Sequence, residues 1–327
     1  MLNVGVFGVG HLGRFHLQQW KTIHEVNIVG FYDPNDHQAQ LAEQDFGVKR
    51  FQYIESLMNL VDIVDVVTPT TFHYEIAKKA LLMSKHVFIE KPFTHTIEEA
   101  LELIKLVKEA NVKCQIGHVE RFNPAFLSIQ DLTIDPMFIE CHRLATFNPR
   151  GTDVSVILDL MIHDIDIILA LVKSPVKRIA ASGVAVLSET PDITNARIEF
   201  ENGCVANLTS SRMSLKRMRK MRLFQRDGYI GLDFLNKSSE IIKLTDKKIG
   251  ALDIPLEMPN GDHKVLAIQH PEIPESNAIR TELYEFVSSI IADKPVKVSA
   301  KDGYEAMAVA FQILKKMNLH SELHNEI

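Results

Sequence analysis

Val4-Gly5-Val6-Phe7-Gly8-Val9-Gly10-His11-Leu12-Gly13 decides the reading of this chain. Strand-like residues run straight into a G-x-G-x-x-G. A helical pattern follows, Arg14 to Thr22, then a second apolar run, Val26 to Tyr32, ending at Asp33. Glycines alone mark many ordinary turns. Strand, glycine loop, helix, strand and acid, in that order, mark a dinucleotide site. Gly8 permits a tight turn, Gly10 lets the backbone approach a pyrophosphate, and Gly13 lets the helix pack close to the strand. The N-terminus of that helix, with its free N–H groups and partial positive charge, favours phosphate. Asp33, about 20 residues past the last glycine, can accept hydrogen bonds from ribose hydroxyls. It would repel a 2′-phosphate, and no Arg or Lys follows in Asp33-Pro34-Asn35-Asp36. The expected cofactor is therefore NAD rather than NADP. The alternative is a flavodoxin-like turn that holds no dinucleotide.

Working outward, strand-like runs alternate with helical ones to about residue 118. Gln38 to Phe46 reads as a helix, Asp62 to Val67 as a strand, and Phe72 to Met83 as a helix. His86 to Glu90 reads as a strand, Ile97 to Ala110 as a helix, and Lys113 to Gly117 as a strand. Such alternation implies parallel βαβ units. The period then changes. Phe138–Leu144, Val176–Leu187, Ala196–Phe200, Val205–Ser210, Met221–Gln225 and Tyr229–Phe234 are short alternating runs, with hairpin signals at Asn202-Gly203 and Asp227-Gly228. One long helix, Val154 to Val172, interrupts them. Ala278–Ala292 and Lys301–Met317 close the chain, and His320 to Ile327 reads as a frayed end. The expected fold is α/β: an N-terminal dinucleotide-binding domain over 1–120, then an α+β domain over 121–327 with a mostly antiparallel open sheet.

Composition narrows the function. The chain has 327 residues, 46% apolar and 24% charged, with a net charge of −6. That is an ordinary globular composition and argues against a nucleic-acid surface. Cys114, Cys141 and Cys204 are isolated and odd in number, which suits a reduced, cytoplasmic setting. The first strand-like run begins at once, so no signal peptide is expected. No apolar run approaches the ~18 residues that would span a membrane.

Three further segments carry chemistry. Thr68-Pro69-Thr70-Thr71-Phe72-His73 follows the third parallel-type strand, and Glu90-Lys91-Pro92 follows the next. The Lys91 ammonium can stabilise oxyanion character on an alcohol or carbonyl oxygen; alone, it could equally be a loop lysine paired with Glu90. Asp159 and His163 are four apart on the long helix and share a face, with Asp166 pointing roughly the same way. An imidazole beside a carboxylate can take an alcohol proton near neutral pH. The bland alternative is a helix start decorated with acids and one buried histidine. No third ligand stands out, so no metal is expected. Lys216-Arg217-Met218-Arg219-Lys220 is strongly basic, and Arg143, Arg150 and Arg212 lie near these segments. Arginine forks suit a diphosphate; a solvated basic hairpin fits the same residues.

Glycine fingerprint, acid, threonine-proline loop, Glu-Lys-Pro and Asp-x-x-x-His, in this order, resemble the Gfo/Idh/MocA oxidoreductase family across nearly the whole chain. The resemblance implies a Rossmann domain followed by a sheet domain for substrate and oligomer contacts. It implies hydride transfer between nicotinamide and a sugar or cyclitol carbon. Carried onto this sequence, Lys91 would orient the reacting hydroxyl, His163 would be the acid/base, and Asp159 its companion. Gly8, Gly10, His11, Leu12, Gly13, Asp33, Thr68, Pro69, His73, Glu90 and Lys91 would hold the cofactor. His118, Arg121, Arg150, Asp166 and Arg212 would face the substrate. Gly117-His118-Val119-Glu120-Arg121-Phe122-Asn123-Pro124 and the segment from Pro149 to Asp166 look like one branch of the family, the UDP-N-acetylglucosamine 3-dehydrogenases. The expected partner is thus a sugar or nucleotide sugar, with a homodimer or homotetramer and neither nucleic acid nor membrane. Two readings compete: an inositol or free-sugar dehydrogenase, and a non-catalytic NAD-binding regulator.

Overall fold

The computed structural model describes residues 1–148, 154–246, 250, 252–259, 261–273 and 275–325. The chain folds as two compact units, one of Met1–Phe122 and Ser276–Met307, the other of Asn123–Glu275 and Ala308–Ile327.

The first unit holds β1 (Leu2–Phe7), β2 (Val26–Tyr32), β3 (Arg50–Phe51), β4 (Ile63–Val66), β5 (His86–Glu90) and β6 (Cys114–Gly117). They lie in the order β3-β2-β1-β4-β5-β6, and every pair is parallel. Between them run α1 (His11–Trp20), α2 (Asp36–Phe46), α3 (Ile54–Met58), α4 (His73–Leu82) and α5 (Ile97–Ala110). The helix starts differ in a telling way. Thr96 and Glu99 close a reciprocal capping box on α5. Asn35 caps α2 through the Gln38 N–H. Gly10, at the start of α1, offers no side-chain cap, and no acid lies in that first turn. The N-terminal N–H groups of α1 are therefore left for a ligand.

The expected second domain, continuous over 121–327, differs from what the structure shows. The chain returns to the first unit at Ser276. Helices α6 (Pro124–Leu127), α7 (Ile162–Leu171), α8 (Ala278–Ile291) and α9 (Ala300–Asn325) follow the sheet helices in sequence. Leu283, Phe286 and Val287 of α8 are fully buried in one cluster with Val4, Leu17, Trp20 and Phe88. Phe286 meets the Phe88 ring edge-on. The apolar stripe of α8 completes the core over α1, and burying that stripe is the driving force for the return. α9 is helical through Asn325, past the point where the polar end was expected to fray.

The second unit carries β7 (Phe138–Leu144), β8 (Val176–Val184), β9 (Ile193–Phe200), β10 (Val205–Ser211), β11 (Met218–Gln225), β12 (Gly228–Asp233), β13 (Ser238–Thr245), β14 (Ile254–Glu257) and β15 (His263–Gln269). Their order is β14-β15-β13-β12-β11-β7-β10-β9-β8. Among the described residues of this unit, only β7 and β10 pair in parallel; the other seven pairings are antiparallel. The Asn202-Gly203 turn joins β9 to β10 with Gly203 at a φ of 88°, as the hairpin signal predicts. The helix expected over Val154–Val172 is not one α-helix. Ile157–Met161 is a π-helical turn, and α-geometry begins only at Ile162.

Candidate functional site

A cavity of about 640 Å³ opens at the carboxyl ends of the parallel strands. Gly8, Gly10, His11, Leu12, Asp33, Thr68, Pro69, Glu90 and Lys91 line it, together with Tyr32, Asn35, Phe72 and Lys79. The three glycines behave as the motif requires. Gly8 has a φ of 97°, and a Cβ there would lie 2.8 Å from the Thr68 nitrogen. A Cβ on Gly13 would lie 2.0 Å from the Gly8 carbonyl, so Gly13 is a packing position behind the wall rather than part of the lining. A Cβ on Gly10 would meet nothing within 4 Å; it would project into space a ligand would otherwise fill. Asp33 is buried. Its Oδ2 accepts the Val9 N–H at 2.8 Å and its Oδ1 accepts the Asn35 N–H at 2.8 Å, which fixes the carboxylate at the rim. The Thr68 Oγ1 is buried without a hydrogen-bond partner in the protein. Uncapped helix N–H groups, a fixed carboxylate and an orphaned hydroxyl around one concavity fit a dinucleotide.

His73 is in a different place from the one expected. It is 1% exposed, and its Nε2 and Nδ1 lie 2.8 Å and 3.0 Å from the carbonyls of Thr68 and Pro92. It braces the two loops from behind. Burial holds its pKa below the ordinary value, against the two carbonyls that favour the charged form. Arg50 went unnoticed in the sequence. It donates to the Asp33 carbonyl at 2.8 Å and pairs with Asp36 at 2.7 Å. Its two-residue strand is too short to announce itself by periodicity.

Glu90 and Lys91 end β5 at the edge of the cavity. The Lys91 N–H donates to Glu90 Oε2 at 3.1 Å, and the Lys91–Pro92 peptide is cis. A Cβ on Gly117 would come within 2.8 Å of the Glu90 carboxyl, so the bare backbone of β6 leaves room for that group. Behind it lies His16, fully buried, with Nε2 3.1 Å from Glu90 Oε1 and Nδ1 3.0 Å from Asp65 Oδ2. Trp20 donates to the same Asp65 oxygen at 2.7 Å. Sequence reasoning missed His16 and Asp65, which lie on an amphipathic helix and in an apolar strand.

In the second unit, Asp159 is exposed and His163 half-buried, whereas Asp166 is 1% exposed. The expectation that all three share a face assumed unbroken α-helix; the π turn at Ile157–Met161 shifts the register between them. Such turns recur at functional sites. The turn that carries His163 is anchored from both ends. Arg143 grips Asp164 with two bonds, Nε to Oδ2 at 2.9 Å and a terminal nitrogen to Oδ1 at 2.8 Å, both groups buried. Arg212 donates to the Val154 carbonyl at 2.6 Å and lies 3.8 Å from the buried Asp192. Arg143 and Arg212 therefore hold the protein together where the sequence suggested diphosphate forks. His118 is 1% exposed, and Arg121 lies 3.9 Å from Asp302. Arg150 lies outside the described residues. The run Lys216 to Lys220 is mostly exposed, with Lys220 at 3.4 Å from Asp233. Cys114, Cys141 and Cys204 are buried free thiols; burial pushes the Cys114 thiol up to about 12 and the Cys204 thiol to about 11, which leaves them unreactive.

Residues 2–118 match the model of an oxidoreductase family with an NAD-binding Rossmann fold, and residues 139–230 match the GFO/IDH/MocA C-terminal domain. The chain is similar to a UDP-N-acetylglucosamine 3-dehydrogenase of Acidithiobacillus ferrooxidans, 35% identical over 313 residues covering 95% of this chain and 96% of that one. A crystal structure of that enzyme superposes with a TM-score of 0.88 over 97% of both chains, at 34% identity. A scyllo-inositol dehydrogenase of Lactobacillus casei, solved with NAD(H) and scyllo-inositol, shares the fold with a TM-score of 0.79, covering 98% of both chains at 20% identity. A myo-inositol 2-dehydrogenase of Thermotoga maritima is 22% identical over 97% of this chain and 96% of its own. Matched along both units, and with a cavity built for a dinucleotide, the chain belongs to the Gfo/Idh/MocA family and is an NAD-dependent oxidoreductase.

Proposed function

We propose that this enzyme oxidises a ring hydroxyl of a nucleotide sugar, the C3 hydroxyl of a UDP-N-acetylglucosamine-like substrate, to a ketone. The observation that carries the reading is likeness along almost the whole length, in sequence and in fold, to a dehydrogenase named for that substrate. Inositol dehydrogenases are also relatives, at lower identity. NAD, when bound, supplies the hydride acceptor. Lys91 stabilises negative charge growing on the substrate oxygen. His163 takes the hydroxyl proton, and Asp159 orients it. The exposed run from Lys216 to Lys220 supplies positive charge for the diphosphate. His118, Arg121, Arg150, Asp166 and Arg212 are proposed around the substrate, Arg212 through the Val154 segment it braces. His73 supports the cofactor by holding the Thr68 and Pro92 loops. A homodimer or homotetramer in the cytoplasm suits the buried reduced cysteines and a sheet polar on one face. Among the described residues, no helix is long and apolar enough to cross a membrane.

The test is NADH formation from NAD⁺ with UDP-N-acetylglucosamine, the ketone being drawn off by a 3-aminotransferase with glutamate. N-acetylglucosamine and myo-inositol run alongside. Turnover with the nucleotide sugar alone is expected; turnover with myo-inositol alone would move the enzyme to the inositol branch. In the active assay, Lys91→Ala and His163→Ala should each keep NADH binding and lose about 10²–10⁴ in kcat. Near-native kcat in either variant would remove that residue from the mechanism.

A further inference from the structure

The unexplained feature of the first unit is the chain Asp65–His16–Glu90. His16 Nδ1 lies 3.2 Å and 3.0 Å from the two Asp65 oxygens, and its Nε2 lies 3.1 Å from Glu90 Oε1. A neutral imidazole carries one N–H and can donate to only one of these carboxylates. Only the imidazolium donates from both nitrogens. His16 and Asp65 are wholly buried, and Glu90 is 6% exposed, so an imidazole lone pair turned against either carboxylate oxygen would be costly. The second Glu90 oxygen accepts the Lys91 N–H, and both Glu90 and Lys91 line the cofactor cavity.

We propose that His16 is a positioning residue: a buried imidazolium clamped between Asp65 and Glu90 that keeps the Glu90 carboxylate ionised and fixed at the cavity edge, bonded to the Lys91 backbone. The charge balance around it supports this. The charges that act on His16 are those of Asp65 on β4 and Glu90 on β5; Lys91 follows Glu90, α8 packed on α1 carries Arg280, the buried Glu282 and Glu285, and α2 carries Asp36, Glu43 and Asp45. Arg14 of α1 pairs with Asp45 of α2 at the surface. His73 also feels Glu90. Trp20 adds a neutral donor to Asp65, and the Phe88 ring closes the near side, its centroid 5.6 Å from that of His16. Burial alone would lower the His16 pKa. The charge and hydrogen bond of Asp65, then those of Glu90, outweigh it and push the value up to about 10.

The consequence concerns the cofactor. Oxidised nicotinamide is a cation and reduced nicotinamide is not, so a fixed carboxylate in the cavity favours NAD⁺ over NADH. Without His16, two buried carboxylates lose the cation between them, and such a pair takes up a proton to relieve its repulsion. The carboxylate at the cavity would then come and go with pH.

The experiment titrates NAD⁺ and NADH separately into the whole enzyme from pH 5.5 to 9, with wild type, His16→Gln, Glu90→Gln and the double variant. It relies on the cofactor and uses no sugar, so it stands or fails apart from the substrate assignment. In wild type the ratio of the two dissociation constants should be flat across this range. In His16→Gln it should shift toward NADH as pH falls, by about tenfold, the order expected for one unit charge near a partly buried site. Glu90→Gln should be shifted at every pH and flat, and the double variant should match it. A flat, wild-type ratio in His16→Gln, with only a lower Tm, would make His16 a packing residue and overturn the proposal. Should His16→Gln not fold, ¹H–¹⁵N correlation on wild type at pH 8 decides. A solvent-shielded imidazolium is expected, and finding every histidine neutral would overturn the proposal.

Discussion

The six-stranded sheet is buried on both faces, whereas the nine-stranded sheet alternates. Every residue of β4 and β6 is buried, and only the first of β5 is partly exposed. In β9 and β10, buried residues alternate with exposed or half-buried ones, so one face stays polar. The same side chain therefore means different things in the two units. On the open face, Arg178, Arg197 and Arg222 pair with Glu199 and Glu140 where water competes, and such pairs contribute about 0–1 kcal/mol. Between the parallel sheet and α1, His16, Asp65 and the inner Glu90 oxygen are buried against one another and satisfy one another. Arg143 is the exception in the second unit. It falls on the inward beat of β7 after Ile139 and Cys141, and there it grips Asp164.

The largest effect should come from that exception. Arg143→Met takes a two-bond guanidinium grip away from the buried Asp164, and should cost about 3–5 kcal/mol in urea unfolding. Adding Asp164→Leu should recover most of the loss, because removing both charges ends the penalty. Arg197→Met on the open face should cost at most about 1 kcal/mol. Equal costs for the two arginines would break the contrast between the faces.

Glycine gives the next comparison. A Cβ on Gly13 would meet the Gly8 carbonyl at 2.0 Å, and one on Gly231 of β12 would meet nothing closer than 3.9 Å. Gly13→Ala should lose about 2–3 kcal/mol, because α1 must move off the glycine loop, and should weaken NADH binding in a fluorescence titration. Gly231→Ala should stay within about 0.5 kcal/mol. Unchanged NADH affinity in Gly13→Ala would mean that the loop tolerates a shifted helix.

The last comparison is a pH slope. The folded pKa of His16, about 10, lies above the ordinary 6.5 of a free histidine. A raised pKa contributes stability that is complete below about 6.5 and is lost as pH rises through about 10. Thermal unfolding across that window should fall more steeply in wild type than in His16→Phe. Parallel curves would show that His16 does not carry the charge.

Much of the secondary structure was legible because its rules are local. The glycine loop of the first unit and the Asn202-Gly203 turn of the second each depend on a few adjacent residues. The cavity-lining residues Gly8, Gly10, Asp33, Thr68, Glu90 and Lys91 meet because each lies at or just past the end of a strand of one parallel sheet, and that order is readable. The π turn at Ile157–Met161 was not legible, since its apolar pattern also suits an α-helix. The binding arginines were misread for a related reason: Arg143 and Arg212 look like free forks until Asp164, Asp192 and the Val154 carbonyl are brought to them.

The sequence by itself determined that this is a dinucleotide-binding α/β chain with a second, mostly antiparallel sheet, and its resemblance to the Gfo/Idh/MocA family pointed to Lys91 and His163. The fold conclusions rest on spacing, which short-range sterics and hydrogen bonding translate directly into strand, turn and helix. Only the tertiary structure decided that Ser276–Met307 closes the first core, that Arg143 serves Asp164, and that His16 bridges Asp65 and Glu90. These contacts join residues distant along the chain. They are selected because buried apolar surface and buried charge must each find a partner somewhere in the fold, and no local pattern names which one.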